Sequence, residues 1–476
     1  MLGFAIVVAT LSATSPAQPP PEASQSCFAL NTTDPISICQ TYVQTPGLLD
    51  ADRARGLTRL GHLYVDKKDA ADALTVLNEA IRLSPDNAEA LFYRAFANSI
   101  AGNKDAAMAD VSNAITLRPN AAPLYALRGM MYSMSNHYEL AVADFNHGLS
   151  MDANSAIALC GRGEAERHLG QYDAAIADET QSLTLKPNEA SCILERGNAY
   201  QAKGQFDLAL ADANAALKLK PDYPDALLAR GATYRLMKRY DDALADHRAL
   251  TAAPTLGFVG YLAMGEDYTA MARFDDAIAA YNSALTAKPG LAEAYFGMGE
   301  VAFRKKDYAG AIQPFTQAIR LKPDYTDAYG RRASSYGQSH DIEHALADLN
   351  TYVTMRPDDA WGYQARCWSR TLLGREYDQA ITDCNKALTL KPDYYDAMDA
   401  RGFLNLRMGH DQQAADDFSL RLKDQPNRAT SLYGRGLAKR HLGDTAGGDA
   451  DVAAARAVDP LIDTYYRFLA AGTPGK

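Results

Sequence analysis

One pattern recurs twelve times between Ala54 and Pro460, almost always at a spacing of 34 residues. Each copy carries a small residue at the same place, and a single step, from Cys367 to Gly402, is 35 residues long. These small residues are Gly61, Ala95, Gly129, Gly163, Gly197, Gly231, Gly265, Gly299, Ala333, Cys367, Gly402 and Gly436. A period of this length, kept over most of a chain, predicts stacked repeats that contact mainly their neighbours. Function is then expected on the extended surface that stacking creates.

The unit from Ala190 to Pro221 shows how each copy folds. Apolar and small residues recur in it at helical spacing in two blocks, which predicts two amphipathic helices. Gly204 separates the blocks and suits the left-handed backbone that ends a helix. Pro221 ends the second helix because proline has no amide hydrogen to donate. Each copy is therefore predicted to be a pair of antiparallel helices.

The columns G-x-x-Y, G-x-[YF]-D-x-A and A-[LI]-x-L-x-P resemble the tetratricopeptide repeat family over residues 52–460. The resemblance implies an all-α fold, a right-handed superhelical solenoid of about twelve antiparallel helix pairs with a C-terminal capping helix. It also implies the family's usual role, which is non-catalytic binding of a protein or peptide on the concave face, where the first helices lie. The clamp for C-terminal carboxylates that some members carry is not expected, because the corresponding positions hold Leu194, Asn198, Leu228 and Ala232.

Four segments are predicted along the chain. Residues 1–17 resemble a secretory signal peptide, a short apolar stretch followed by small residues, although no Lys or Arg precedes it. Residues 18–51 form a flexible segment with a short capping helix, 52–460 the solenoid of 12 repeats, and 461–476 a C-terminal capping helix and tail. We therefore expect export to the periplasm or the medium, with no membrane span after signal cleavage. An uncleaved N-terminal membrane anchor and a cytosolic location are the alternatives.

Charge and composition argue against several classes of function. The formal net charge of -10 repels phosphate backbones, so we expect no nucleic-acid partner. The nine histidines lack metal-ligand spacing, and no catalytic motif is present, so no catalytic, cofactor-binding or metal-binding residues are predicted. The first alternative to a binding scaffold is a spacer or anchor subunit of a cell-envelope assembly or secretion complex. The second is an enzyme with an unrecognised active site in the groove.

The six cysteines suggest three local disulfides, as in an exported protein. The candidate pairs are Cys27–Cys39, Cys160–Cys192 and Cys367–Cys384. The alternative for the last four is that they are buried small apolar side chains.

An arginine precedes the small residue in nine of the twelve copies, and each of those copies has an aspartate on its second helix. The other three copies lack both residues, so the two positions are expected to be in contact as a partly buried ion pair, which sets register more than it adds stability. The pairs are Arg94–Asp110, Arg128–Asp144, Arg162–Asp178, Arg196–Asp212, Arg230–Asp246, Arg332–Asp348, Arg366–Asp383, Arg401–Asp417 and Arg435–Asp451.

Two groups of large apolar residues on first helices are candidate partner-binding patches. Trp361 and Trp368 are seven residues apart and share a helix face, and Phe403 lies on the next first helix. The second group is Phe92, Phe96, Met130 and Met134. Interface anchors are enriched in such residues, so the first group is expected to anchor a peptide. The alternative is that the rings pack between neighbouring repeats.

Overall fold

The fold is described by a computed structural model for residues 27–29 and 33–466, and these residues form helices and no strands. Helix α1 spans Pro35–Val43. The first helices of the repeats are α2 (Asp50–Asp66), α4 (Ala88–Ile100), α6 (Ala122–Met134), α8 (Ala156–His168), α10 (Ala190–Ala202), α12 (Pro224–Leu236), α14 (Gly257–Ala270), α16 (Ala292–Arg304), α18 (Thr326–Gln338), α20 (Ala360–Leu373), α22 (Tyr395–Met408) and α24 (Ala429–His441). The second helices are α3 (Ala70–Leu83), α5 (Lys104–Leu117), α7 (Tyr138–Met151), α9 (Tyr172–Leu185), α11 (Phe206–Leu219), α13 (Tyr240–Leu250), α15 (Phe274–Ala287), α17 (Tyr308–Leu321), α19 (Ile342–Met355), α21 (Tyr377–Leu390), α23 (Asp411–Asp424) and α25 (Thr445–Val458), followed by the short α26 (Ile462–Tyr465). The predicted all-helical class is confirmed.

Two compact units divide the chain, unit 1 ending at Asp246 and unit 2 beginning at His247. Within each unit, a first helix packs against the second helix of its own pair and against that of the preceding pair. First helices of neighbouring pairs also contact each other, as α8 contacts α10 and α10 contacts α12. We call the exposed side of the first helices the first-helix face of each unit.

A column of buried side chains on the second helices fills the space opposite the small residues. Leu77 lies so close to Gly61 that a Cβ atom on the glycine would be 2.4 Å from the leucine side chain. The small residue is therefore a steric requirement of close helix packing. The column consists of Leu77, Val111, Phe145, Glu179, Ala213, His247, Tyr281, Phe315, Leu349, Cys384, Phe418 and Val452, and each member is at most 2% exposed.

Two members of this core column depart from its apolar and aromatic character, Glu179 with a carboxyl group and His247 with an imidazole. The Nδ1 atom of His247 lies 2.6 Å from a carboxylate oxygen of Asp267, so the histidine has a polar partner. The Glu179 carboxyl has none, since neither of its oxygens makes a hydrogen bond in the part of the chain that the structure describes. Burial, with further contributions from Cys192 and Glu195, raises the pKa of Glu179 to about 10. The carboxyl is thus neutral at physiological pH, and its burial without a hydrogen bond is costly.

All nine arginine–aspartate pairs are in contact, with closest nitrogen–oxygen distances of 2.5 to 2.8 Å. In Arg196, as in the others, Nε and Nη2 each donate a hydrogen bond to a separate oxygen of the aspartate, which is the bidentate geometry that guanidinium favours. The third nitrogen, Nη1, often reaches the preceding pair, as from Arg94 to Asn78 and from Arg230 to Asn214. The arginines therefore link adjacent repeats as well as the two helices of one repeat.

Replacing Arg196 with methionine is expected to cost more stability than replacing Arg196 with methionine and Asp212 with leucine together. The single change leaves the Asp212 carboxylate, whose side chain is 10% exposed, without its cation, whereas the double change removes the unpaired charge. We expect a difference of roughly 2 kcal/mol in the free energy of unfolding from urea denaturation. Arg82→Met, which breaks an exposed ion pair with Glu79, serves as the control and should change little. Equal losses in the single and double variants would contradict the account.

Two disulfides are present among the described residues, Cys27–Cys39 and Cys367–Cys384, with Cα atoms 4.7 and 5.5 Å apart. The expected Cys160–Cys192 disulfide is wrong in this structure, where both residues are buried free thiols. The two positions are 32 residues apart and lie on the neighbouring first helices α8 and α10. A hydrogen bond between the two thiols, together with burial, raises the pKa of Cys160.

The ends of the repeat array carry additional helical segments. At the N-terminal end, the α1 residue Tyr42 is 2% exposed and packs against Gly56 of α2. At the C-terminal end Ile462 is fully buried, in a cluster with Leu432 and Val452. The expected signal peptide lies outside the described residues, as does the expected capping helix beyond Tyr466. In residues 27–29 and 33–466, no helix is both long and apolar enough to cross a bilayer.

Candidate functional site

The first predicted patch is not an open aromatic surface. Phe403 is 1% exposed and belongs to a core cluster, so its expected role as a partner anchor is wrong in this structure. Its ring packs edge-on against Phe418, at 4.8 Å, and against Trp368, at 5.8 Å. Trp361 is half-buried and lies against Tyr352 of the preceding second helix, at 5.0 Å. The alternative interpretation, packing between neighbouring repeats, describes these rings better.

The C-terminal segment covers this patch. After α26, Tyr466 stacks on Phe403 with ring centroids 4.5 Å apart, and its ring lies 6.4 Å from Trp368 and 5.8 Å from Tyr433. Arg456 donates two hydrogen bonds to Asp463 and thereby ties α26 to α25. Trp368 remains half-buried, but the chain's own tyrosine occupies the surface beside it.

The second predicted patch is only partly exposed. Phe96 is 9% exposed, so its expected role as an exposed anchor is also wrong, and it packs edge-on against Phe92 at 5.1 Å. Phe92 and Met130 are half-buried against the core, whereas Met134 is 46% exposed. The burial has a local cause, because Phe96 belongs to the core cluster that also contains Leu127 and Met131, and Phe92 packs against that cluster.

A cavity of about 370 Å³ lies on the first-helix face of unit 1 and was not predicted from the sequence. Three successive first helices, α8, α10 and α12, line it. The lining residues are Glu164, Arg167, His168, Leu194, Glu195, Asn198, Tyr223, Asp225, Leu228, Ala229 and Ala232. The α12 part of the lining is mainly apolar, and the α8 and α10 parts carry most of the charged groups, a combination found in many ligand sites.

Three carboxylates and one guanidinium group determine the electrostatics of the cavity. Arg167 lies 3.0 Å from a Glu195 oxygen, so these two charges compensate each other. Neither Glu164 nor Asp225 has a hydrogen-bond or ion-pair partner among the residues that the structure describes. Burial, followed by repulsion from Glu195, raises the pKa of Glu164 to about 7. The cavity therefore carries an excess of negative charge near neutral pH.

His168, which also lines the cavity, contributes no charge to it at physiological pH. Its ring stacks on Tyr138 at 4.3 Å, and burial together with the neighbouring Arg167 lowers the pKa of His168. The imidazole is then neutral at physiological pH. Within the described residues, no group of three or more His, Cys, Asp or Glu side chains is arranged to hold a metal ion.

One sequence signal could have indicated that this repeat is unusual. The core column is apolar in ten of its twelve members, and Glu179, one of the two exceptions, lies on the second helix that follows the cavity residue Glu164. Glu195 of the cavity contributes to the raised pKa of Glu179, so the buried carboxyl lies within electrostatic reach of the lining.

Models of two related families match parts of the chain. One, described as tetratricopeptide repeat, matches residues 134–190 and 262–326, and the other, described as TPR repeat, matches residues 61–99 and 197–238. The matched segments are therefore similar to tetratricopeptide repeats, which are typical of scaffolds for protein–protein interaction. Most of the cavity lining falls within the matched segments. None of the curated proteins matches the sequence.

Three solved structures are similar at low identity. The APC/C hetero-tetramer Cut9-Hcn1 shares 15% identity at a TM-score of 0.42, over 92% of both chains. A tetratricopeptide repeat protein from Parabacteroides merdae ATCC 43184 shares 17% at 0.41, over 59% of this chain and 98% of that one. PilW, a type IV pilus biogenesis factor, shares 20% at 0.39, over 42% of this chain and 93% of that one. TM-scores this low have no functional implication.

Proposed function

We propose that this protein is a non-catalytic scaffold whose unit 1 binds a segment of a partner polypeptide on the first-helix face. The observation that carries the proposal is the cavity formed by α8, α10 and α12. A concave site with an apolar wall and a few polar groups is the usual form of a binding pocket. The covered aromatic patch in unit 2 makes that region a weaker candidate.

The row of first helices supports a polypeptide as the ligand. The first helices α6, α8, α10 and α12 contact each other in succession, so the cavity lies on a surface to which several repeats contribute. An extended surface of this kind can contact several side chains of one segment, and affinity then concentrates at the few positions that enter pockets. In this proposal the cavity is the pocket for the main anchor.

Filling the cavity is expected to abolish most of the binding. Ala232→Trp places an indole group in the cavity, where Ala232 is part of the lining. We expect peptides selected on the wild-type protein from a random acetylated library to bind this variant at least about thirtyfold more weakly, a loss of about 2 kcal/mol. Fluorescence anisotropy with the selected peptides provides the measurement.

The matched control is Ala174→Trp, which adds the same bulk at an exposed position of α9. It should bind like the wild-type protein, and both variants should retain the wild-type helical circular dichroism. Selected peptides that bind Ala232→Trp as well as they bind the wild-type protein would refute the site. Failure to select any peptide would refute the proposed function for unit 1.

The proposal includes an exported location, which the two disulfides support, because disulfides persist mainly in oxidising compartments. Protein taken from its natural cells and alkylated under denaturing, non-reducing conditions should then contain two alkylated cysteines per chain, Cys160 and Cys192. Mass mapping of the non-reduced protein measures this directly. Six alkylated cysteines would contradict both the disulfides and the location.

A further inference from the structure

We propose that the cavity in unit 1 binds a basic side chain, Lys or Arg, of the partner polypeptide, with Glu164 and Asp225 as its counter-charges. The inference rests on the proposed function and specifies the chemistry of the anchor. Neither the repeat pattern nor the family match assigns a role to these two carboxylates.

The charge balance of the lining is the first argument. Glu195 already accepts hydrogen bonds from Arg167, at 3.1 Å, and from Asn198, at 3.4 Å. Glu164 and Asp225 lack such partners among the described residues, although both line the same cavity. A carboxylate in a partly dry site without a partner is costly, and a bound cation removes that cost. Among the described residues, these two carboxylates are therefore open to pairing with a bound cation.

The apolar wall is the second argument. Leu194 is 3% exposed, and with Leu228 and Ala229 it gives the cavity a hydrocarbon surface beside the carboxylates. Lysine and arginine have long apolar stems that end in a charged group, so one such side chain matches both walls at once. A small inorganic cation would leave the apolar wall in contact with water.

Other occupants fit less well. An acidic side chain would be repelled by Glu164 and Asp225, because the only guanidinium group in the lining, on Arg167, is already paired with Glu195. An apolar side chain would cover both carboxylates without replacing the water that solvates them, which costs free energy. A basic side chain is the one class that satisfies the charged and the apolar wall together.

The test uses the full-length protein and four pools of heptapeptides that are acetylated at the N-terminus and amidated at the C-terminus. Each pool has Lys, Arg, Gln or Glu fixed at the central position and random residues elsewhere, so the fixed side chain is the controlled source of charge. Retention on immobilised protein is measured for the wild type, for Glu164→Gln and for Glu139→Gln. Glu139 is exposed on α7 and outside the cavity, which makes it the matched control.

We expect the Lys and Arg pools to be retained at least about tenfold more than the Gln and Glu pools, in line with the strength of a partly buried charge pair. Glu164→Gln should remove most of that preference, while Glu139→Gln should keep it. Retention without a preference for Lys or Arg, or a preference that survives Glu164→Gln, would overturn this inference and leave the proposed function standing if Ala232→Trp still abolishes retention. No retention of any pool by the wild-type protein would overturn both.

Discussion

Replacing Phe403 with alanine is expected to lower the free energy of unfolding by about 3–5 kcal/mol, the cost of truncating a buried phenylalanine. The ring is 1% exposed and lies between Phe418, Trp368 and Tyr466, so its removal leaves a cavity among these three rings. Urea denaturation followed by circular dichroism measures the loss. Repeat arrays can unfold in parts, so the loss of stability should be local. We therefore expect faster hydrogen exchange of the α22 and α24 amides in the variant.

Phe92→Ala is the matched control for this prediction. Phe92 is a half-buried phenylalanine on the first-helix face of the other unit, and its truncation should cost clearly less. If Phe403→Ala instead unfolds at the same urea concentration as the wild-type protein, the ring is not part of the core. That result would favour the sequence-based expectation that Phe403 is an exposed anchor for a partner.

Replacing Glu179 with leucine is expected to stabilise the protein by about 3 kcal/mol at pH 7. Glu179 packs opposite Gly163 in the core. In the first repeat, the equivalent position is Leu77, which packs opposite Gly61 in the same way. Leucine therefore fits the site, as it fits the equivalent one. The variant removes a buried carboxyl without a hydrogen-bond partner and replaces it with an apolar side chain of similar size.

The pH dependence gives the sign of this effect. The pKa of Glu179 rises from 4.5 to about 10 on folding, so between these values the unfolded chain loses a proton that the folded protein keeps. Wild-type stability should therefore fall with rising pH by up to about 1.4 kcal/mol per unit, and the advantage of Glu179→Leu should grow from pH 5 to pH 8. Glu139→Leu, at an exposed position, is the control and should show no such trend. A stabilisation that stays constant across this range would mean that Glu179 is not held neutral.

The architecture followed from the sequence because its causes are local and repeated. Small residues such as Gly61 recur at one spacing, and at Gly61, Gly265 and Gly299 an added Cβ atom would lie within 3 Å of a side chain on the second helix. The ion pairs were predictable for a related reason. At the positions equivalent to Arg196 and Asp212, every copy that has the arginine also has the aspartate, and every copy that lacks one lacks the other. The bond from Arg94 to Asn78 was missed because it joins different repeats, so comparing positions within one copy did not reveal it.

The candidate site was harder to predict because it depends on individual differences between repeats. The burial of Phe403 is caused partly by Tyr466, which returns from beyond the last pair, and nothing in the spacing of the rings indicates that contact. The cavity combines residues from three repeats, such as Glu164 and Asp225, and neither of their columns holds an acidic residue in every copy. Cys160 and Cys192 show the same limit. Their similar places in neighbouring repeats suggested that the side chains are close, but did not determine whether a disulfide bond forms.

Hydrogen exchange of unit 1, with and without a saturating peptide selected on the wild-type protein, tests most directly whether a partner binds at the cavity. We expect added protection in the first helices α8, α10 and α12, which line the cavity, and little change in the second helices α9 and α11. Protection confined to the second helices, or to unit 2, would contradict the account.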